Sequence, residues 1–142
     1  MELALCVAVI GVLTAFLLPR VADWKAEGRS IQLINAMASV NKAVVIFQAE
    51  CSRKPDRQCD QLLIHDQTIA GAHGHAAASA DGIARLAALP PEFQLQEHTI
   101  DGVPALTMSL ATPDTSPCEF TYLQAPTPGS QPAVQRPEGQ CH

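Results

Sequence analysis

This chain of 142 residues contains five cysteines, a residue type that can form disulfides or bind a metal ion. Cys6 lies inside an N-terminal apolar stretch, where we expect it to pack as a small hydrophobic side chain. The other four cysteines are Cys51, Cys59, Cys118 and Cys141. In an oxidising compartment they could form two disulfides, and four cysteines permit three pairings.

Histidine offers a competing use for the same cysteines, because His65, His73 and His75 could complete a zinc site. Structural zinc sites are typically built from closely spaced cysteine pairs of the CxxC kind. The cysteines of this chain are too far apart in sequence to form such a pair. We therefore predict no metal site and no cofactor.

A hydrolase triad is the one catalytic pattern that the residue types allow, since His75, Ser79 and Asp81 are close in sequence. No nucleophile elbow surrounds the serine, and the chain has no P-loop, GxGxxG or HExxH motif. Ser79-Ala80-Asp81 is more typical of a cap on a short helix over residues 82–89, which Pro90-Pro91 stops. We predict no catalytic residues and no enzyme activity.

Glu2 precedes an apolar run, Leu3–Leu18, that contains no charged side chain. As a helix the run would span about 24 Å, slightly less than the hydrocarbon core of a bilayer. A carboxylate at the edge of such a helix costs a few kcal/mol unless it is paired. The acidic flank before the run, with Pro19-Arg20 and no small-residue cleavage site after it, argues against a cleaved signal peptide.

The pattern predicts that this helix continues from Arg20 to about Gln48 with a changed character. Apolar residues now recur at spacings of four and three and form a single stripe, namely Leu33, Met37, Val40, Val44 and Phe47. The first half of the helix must therefore lie in lipid or among similar helices, and the second half needs a folded domain along one side.

The rest of the chain predicts a small antiparallel sheet. Asp101-Gly102 is a two-residue hairpin signal between strands over 93–100 and 103–110, and a third strand is expected over 118–123. Segments 62–65 and 68–72 are short extended or loop candidates, and the chain after Ala125 reads as a loop with at most one short edge strand. The order of elements predicts an α+β fold.

The charge distribution argues against nucleic acid as a partner. Residues 1–57 contain seven Lys and Arg against five Asp and Glu, whereas residues 58–142 contain two against nine. An acidic distal half repels phosphate, and aromatic residues make up only 4% of the chain, too few for a surface that stacks bases.

The N-terminal segment resembles that of type IV pilins and type II secretion pseudopilins. In those families a glutamate opens an apolar helix and a proline closes it seventeen residues later, as Glu2 and Pro19 do here, with Gly11 also at the matching distance. Segments 18–23 and 70–83, with Cys118-Glu119-Phe120-Thr121-Tyr122 and the final Gly139-Gln140-Cys141, are similar to pilins of the mannose-sensitive haemagglutinin type. In that family a short leader and three residues precede the position of Met1, so we expect the numbering to begin inside a precursor.

The resemblance implies roles for particular residues. Glu2 would pair with the terminal amine of a neighbouring subunit as it enters a filament, and Gly11 and Pro19 would bracket a stretch that extends on assembly. The resemblance also implies a C-terminal disulfide bracket, Cys118–Cys141, which leaves Cys51 and Cys59 to pair with each other.

These features predict a pilin-like fold with a membrane and filament-core segment over 1–22 and a globular head over 23–142. The head comprises the second half of the helix (23–50), a loop (51–61) and a sheet domain (62–142). We expect a structural subunit of a type IV pilus, held in the inner membrane as a precursor and extracellular in the filament, with identical subunits and the assembly machinery as partners. The alternatives are a pseudopilin of a type II secretion system and a membrane-tethered periplasmic binding domain.

Overall fold

The fold is taken from a computed structural model, which describes residues 28–55, 59–111 and 118–136. It has an α+β architecture in which a long helix precedes small antiparallel sheets, as the sequence predicts. The predicted segment 1–22, with Glu2, Gly11 and Pro19, lies outside the described residues.

The long helix, α1, is described from Gly28 to Ser52. By length and composition alone it could cross a membrane, and it lies near the N-terminus, where an anchor or a signal sequence would be. The core helix of a soluble domain has the same properties, and one side of α1 is indeed buried against the rest of the fold. The described part of α1 therefore packs along one side of the folded domain, as expected for the second half of the predicted helix.

Within the described residues, seven strands form two sheets where the sequence predicted one. The first sheet has the order β1-β2-β3, with β1 Gln61–Ile64, β2 Gln67–Ala72 and β3 His75–Ala76. The second has the order β4-β5-β6-β7, with β4 Phe93–Ile100, β5 Val103–Leu110, β6 Cys118–Leu123 and β7 Ala133–Gln135. Every pairing in both sheets is antiparallel and joins strands that are consecutive in the chain.

Three two-residue turns set the register of these hairpins. Both central residues have positive φ in His65-Asp66, His73-Gly74 and Asp101-Gly102, which is the signature of a type I′ turn. This turn type matches the right-handed twist of the flanking strands, so each hairpin closes without a longer loop. The predicted β4–β5 hairpin is confirmed with its boundaries, and the strand predicted over 118–123 is β6.

The short helix α2, Ile83–Ala87, corrects one detail of the sequence-based interpretation. Its N-cap is Gly82, and no side chain caps it. The Ser79 hydroxyl instead donates a 2.7 Å hydrogen bond to Asp81 Oδ1, so the two predicted capping residues satisfy each other. Arg85 fixes α2 to the first sheet by donating from Nη1 to the carbonyl of Thr68 at 2.9 Å.

One hydrophobic core joins the helix to both sheets. Phe47 of α1 lies against Gly71 of β2 so closely that a Cβ at Gly71 would collide with its ring, which explains the glycine there. Hydrogen bonds join the sheets directly, because the Tyr122 hydroxyl donates to the carbonyl of Ala76 at 2.7 Å and Gln124 Oε1 accepts from the amide of Ala78 at 3.1 Å. The sheets are thus two parts of a single domain.

Candidate interaction surface on the long helix

The buried side of α1 follows a regular helical row. Leu33, Val40 and Phe47 are completely buried, and Ala36 and Ala43 lie between them. The sequence predicted Met37 and Val44 as members of the same stripe, but both are only half-buried at its margin. We call Leu33, Ala36, Val40, Ala43 and Phe47 the inner row.

The opposite side of α1 carries a second apolar row, which the sequence-based reasoning missed. Ile31, Ile34 and Val45 are 55%, 51% and 65% exposed, and Ala38 is exposed between them. At 3.6 residues per turn these positions lie within about 60° of one another and about half a turn from the inner row. We call Ile31, Ile34, Ala38 and Val45 the outer row.

Polar residues separate the two rows. On one flank Asn35 and Lys42 are exposed, and on the other Asn41 and Gln48 are exposed. The helix is therefore apolar on two distinct faces, of which its own domain covers one. The signal was present in the sequence as apolar residues at i, i+3, i+7 and i+14 from Ile31, but the stronger inner pattern occupies the same stretch.

A disulfide fixes the C-terminal end of this helix. Cys51 and Cys59 are bonded with an S–S distance of 2.05 Å and a Cα–Cα distance of 5.9 Å, within the normal range for a disulfide. Both cysteines are buried, and the bond connects the last turn of α1 to the residues just before β1. The expected pairing of these two cysteines is confirmed.

Cys118 is completely buried and is also disulfide-bonded. Its partner is not among the residues that the structure describes, and Cys141, the predicted partner, lies outside them, as does Cys6. The Cys118–Cys141 pairing therefore stays a prediction.

The residues of the considered triad do not converge on one point. Ser79 and Asp81 are hydrogen-bonded to each other, and this bond is the main reason why the pKa of Asp81 is lowered. His75 is buried in β3 and interacts with the backbone of Ser130, and its Nδ1 has no hydrogen-bond partner among the described residues. Desolvation lowers the pKa of His75, and the Ser130 hydrogen bond opposes that shift only in part.

The residues considered as zinc ligands are likewise dispersed. His65 and His73 lie in the turns at opposite ends of β2, and Cys51 and Cys59 are consumed by their disulfide. Within the described ranges, no group of three or more His, Cys, Asp or Glu side chains is arranged to hold a metal ion.

The buried tyrosine of β6 has a structural contact. Burial raises the pKa of the Tyr122 phenol, whose hydroxyl donates to Ala76 between the sheets.

Among the described residues, the outer row of α1 is the most distinctive surface. No protein-family model, curated protein or solved structure matches this chain.

Proposed function

We propose that this chain is a structural subunit that polymerises through its N-terminal helix into a type IV pilus. The observation that carries the proposal is the outer row, an apolar face on a helix whose opposite face is already covered by the subunit's own sheets. Such a helix is suited to lie between its own domain and a neighbouring apolar surface.

The apolar run Leu3–Leu18 supplies a surface of the required kind. In a filament of like subunits, the uncharged run of one copy packs against the outer row of another, and both are removed from water. Fully burying one exposed aliphatic side chain is worth about 1.5–3 kcal/mol, and half of that is gained where half is already covered. Each subunit has three such residues, Ile31, Ile34 and Val45, and their burial favours every addition of a subunit.

The charge distribution supports the orientation of the subunit. The chain from residue 58 onward, which includes both sheets, contains nine Asp and Glu against two Lys and Arg, so a filament built around α1 would present a solvated, negatively charged exterior. A like-charged exterior keeps separate filaments apart in solution. In this proposal the chain acts by assembly and has no catalytic role.

The test compares charged substitutions on and off the outer row in the bacterium that produces the protein. Ile34→Glu and Val45→Glu place a carboxylate in the proposed contact, and we expect filament yield to fall by about tenfold or more because an unpaired buried charge is strongly destabilising. Leu63→Glu is the matched control, because Leu63 is 71% exposed but lies on β1 and is not part of the outer row. Sheared filaments are quantified by electron microscopy and by immunoblot.

Equal yields from all three variants would show that the outer row is not a packing surface. A wild-type protein that stays monomeric in the inner membrane under piliating conditions would favour the membrane-tethered binding domain. Glu2→Ala provides a second arm, since loss of the proposed pairing with a neighbouring terminal amine should abolish assembly while leaving the subunit in the membrane. Normal piliation by that variant would remove Glu2 from the mechanism.

A further inference from the structure

A cleft of about 250 Å³ lies beside α1, on the flank between the inner and outer rows. From α1 it is lined by Gln32, Asn35 and Ser39, which follow one another at helical spacing, and from the rest of the fold by residues that include Glu92. Phe93 and Leu110 add apolar surface to its lining. We call this the acidic cleft.

The chemistry of the acidic cleft fits the side chain of a lysine. Glu92 is exposed, and within the described ranges it forms no ion pair. Side-chain oxygens of Gln32, Asn35 and Ser39 are available to accept hydrogen bonds around an ammonium group. The apolar part of the lining is suited to the four-carbon stem that carries such a group.

The chain itself presents a suitable lysine at the other end of α1. Lys54 is exposed immediately after the helix, in the loop that the Cys51–Cys59 disulfide closes. Its amide donates to the carbonyl of Cys51 at 2.9 Å, so the backbone that carries the side chain is held in place. The neighbouring Arg53 already pairs with Glu50 at 3.5 Å, whereas Lys54 forms no ion pair in the described part of the chain.

These two features cannot meet within one molecule. From Ala36 at the cleft to Ser52 at the end of α1, the helix rises about 24 Å, and Lys54 lies beyond that end. A contact between them therefore joins two copies, and in the proposed filament it repeats head-to-tail from one subunit to the next. Repeated head-to-tail contacts generate rings or open helical filaments.

We propose that Lys54 of one subunit inserts into the acidic cleft of the next and pairs with Glu92. The proposal rests on the filament function proposed above and names a polar contact that fixes the axial offset between successive subunits. Apolar contact at the outer row has no fixed direction and tolerates sliding, whereas a lysine that pairs with Glu92 in the cleft permits one register. In this proposal the affinity between subunits comes from apolar contact at the outer row, and their register comes from the pair of Lys54 and Glu92.

The test is a charge reversal with rescue in the full-length protein. Lys54→Glu and Glu92→Lys each place like charges in the contact, and we expect filament yield to fall by about fivefold to tenfold. The double variant Lys54→Glu/Glu92→Lys restores an opposite-charge pair and should recover most of the wild-type yield. Asp101→Lys reverses an exposed charge at the far end of β4 from Glu92 and should leave the yield unchanged.

A second measurement detects the contact directly. A water-soluble carbodiimide joins lysine amines to carboxylates in direct contact, and mass spectrometry of treated wild-type filaments should find Lys54 linked to Glu92. Using an equal mixture of isotopically heavy and light subunits distinguishes a link between copies from one within a copy. Single reversals that assemble normally, a double variant that is not rescued, or links from Lys54 only to other carboxylates would overturn this contact while leaving filament formation intact. Absence of filaments from the wild type would instead refute the function on which the contact rests.

Discussion

Leu33 and Ile34 are neighbours in sequence and nearly identical in size and polarity, yet one is completely buried and the other is half exposed. The difference arises from one step of about 100° around the helix axis, which moves a side chain from the inner face towards the outer one. The inner row is bound to this subunit's own sheets, and the outer row has the same chemistry without a partner among the described residues. Apolar character therefore serves two separate purposes on α1, stability on one face and availability for association on the other.

The largest effect is expected from truncating the inner row. Phe47→Ala removes a completely buried ring that contacts β2 at Gly71, and we expect the free energy of unfolding to fall by about 3–5 kcal/mol. Urea unfolding followed by circular dichroism measures the change. A loss below about 1 kcal/mol would mean that the inner row is not what holds α1 to the sheets.

The disulfide at the end of α1 is expected to have the next largest effect. Replacing both Cys51 and Cys59 with alanine leaves the bond at Cys118 in place and opens the loop between residues 51 and 59. Loop-closure entropy predicts a loss of about 2.5 kcal/mol for a loop of this length. The same urea titration under non-reducing conditions provides the measurement, and an unchanged midpoint would show that the inner row alone fixes this end of the helix.

A smaller effect is expected from pH, and it should come from the buried interior. Burial lowers the pKa of His75 in the folded state below its ordinary value of 6.5, so the unfolded chain binds this proton more readily. Stability from neutral His75 is complete above pH 6.5 and is lost as pH falls from there through the folded-state pKa. We expect the melting temperature to fall more steeply with acidification in wild type than in His75→Leu. Parallel pH curves for the two proteins would contradict this assignment.

The smallest effect on stability is expected from the outer row. Val45→Ala shortens a side chain that is 65% exposed, so the free energy of unfolding should change by no more than about 0.5 kcal/mol. Filament yield is the contrasting measurement, because the same truncation removes area from the proposed contact. A loss of stability comparable to that of Phe47→Ala would mean that the two faces of α1 are not functionally distinct.

Local patterns allowed much of the second sheet to be predicted. Asp101-Gly102 provides the two positive φ values of a type I′ turn, and the strands on both sides of it were predicted with their observed boundaries. In β6 the alternation of Phe120 and Tyr122 with Glu119 and Thr121 corresponds to buried and half-buried positions. These features are encoded over a few residues, so a single sequence is sufficient.

Features that depend on tertiary contacts were not predictable in the same way. The first sheet turns at His65-Asp66 and His73-Gly74, and of these four residues only Gly74 adopts positive φ without steric cost. Ser79 was predicted to cap α2, but its hydroxyl donates to Asp81 and no side chain caps the helix. The outer row was missed because exposure depends on where the sheets lie, which periodicity alone does not reveal.

The consecutive pairing of the strands has a consequence for the order in which the fold forms. Each pairing in the described part joins two strands that are consecutive in the chain, with a two-residue turn between them in three cases. Most sheet contacts therefore span short distances in sequence. Contacts of this kind have a low entropy cost of loop closure, which favours rapid formation of both sheets. The inner row of α1 packs with residues of both sheets, and these contacts close much longer loops. The helix, although it comes first in the chain, is therefore expected to be the last element fixed in place.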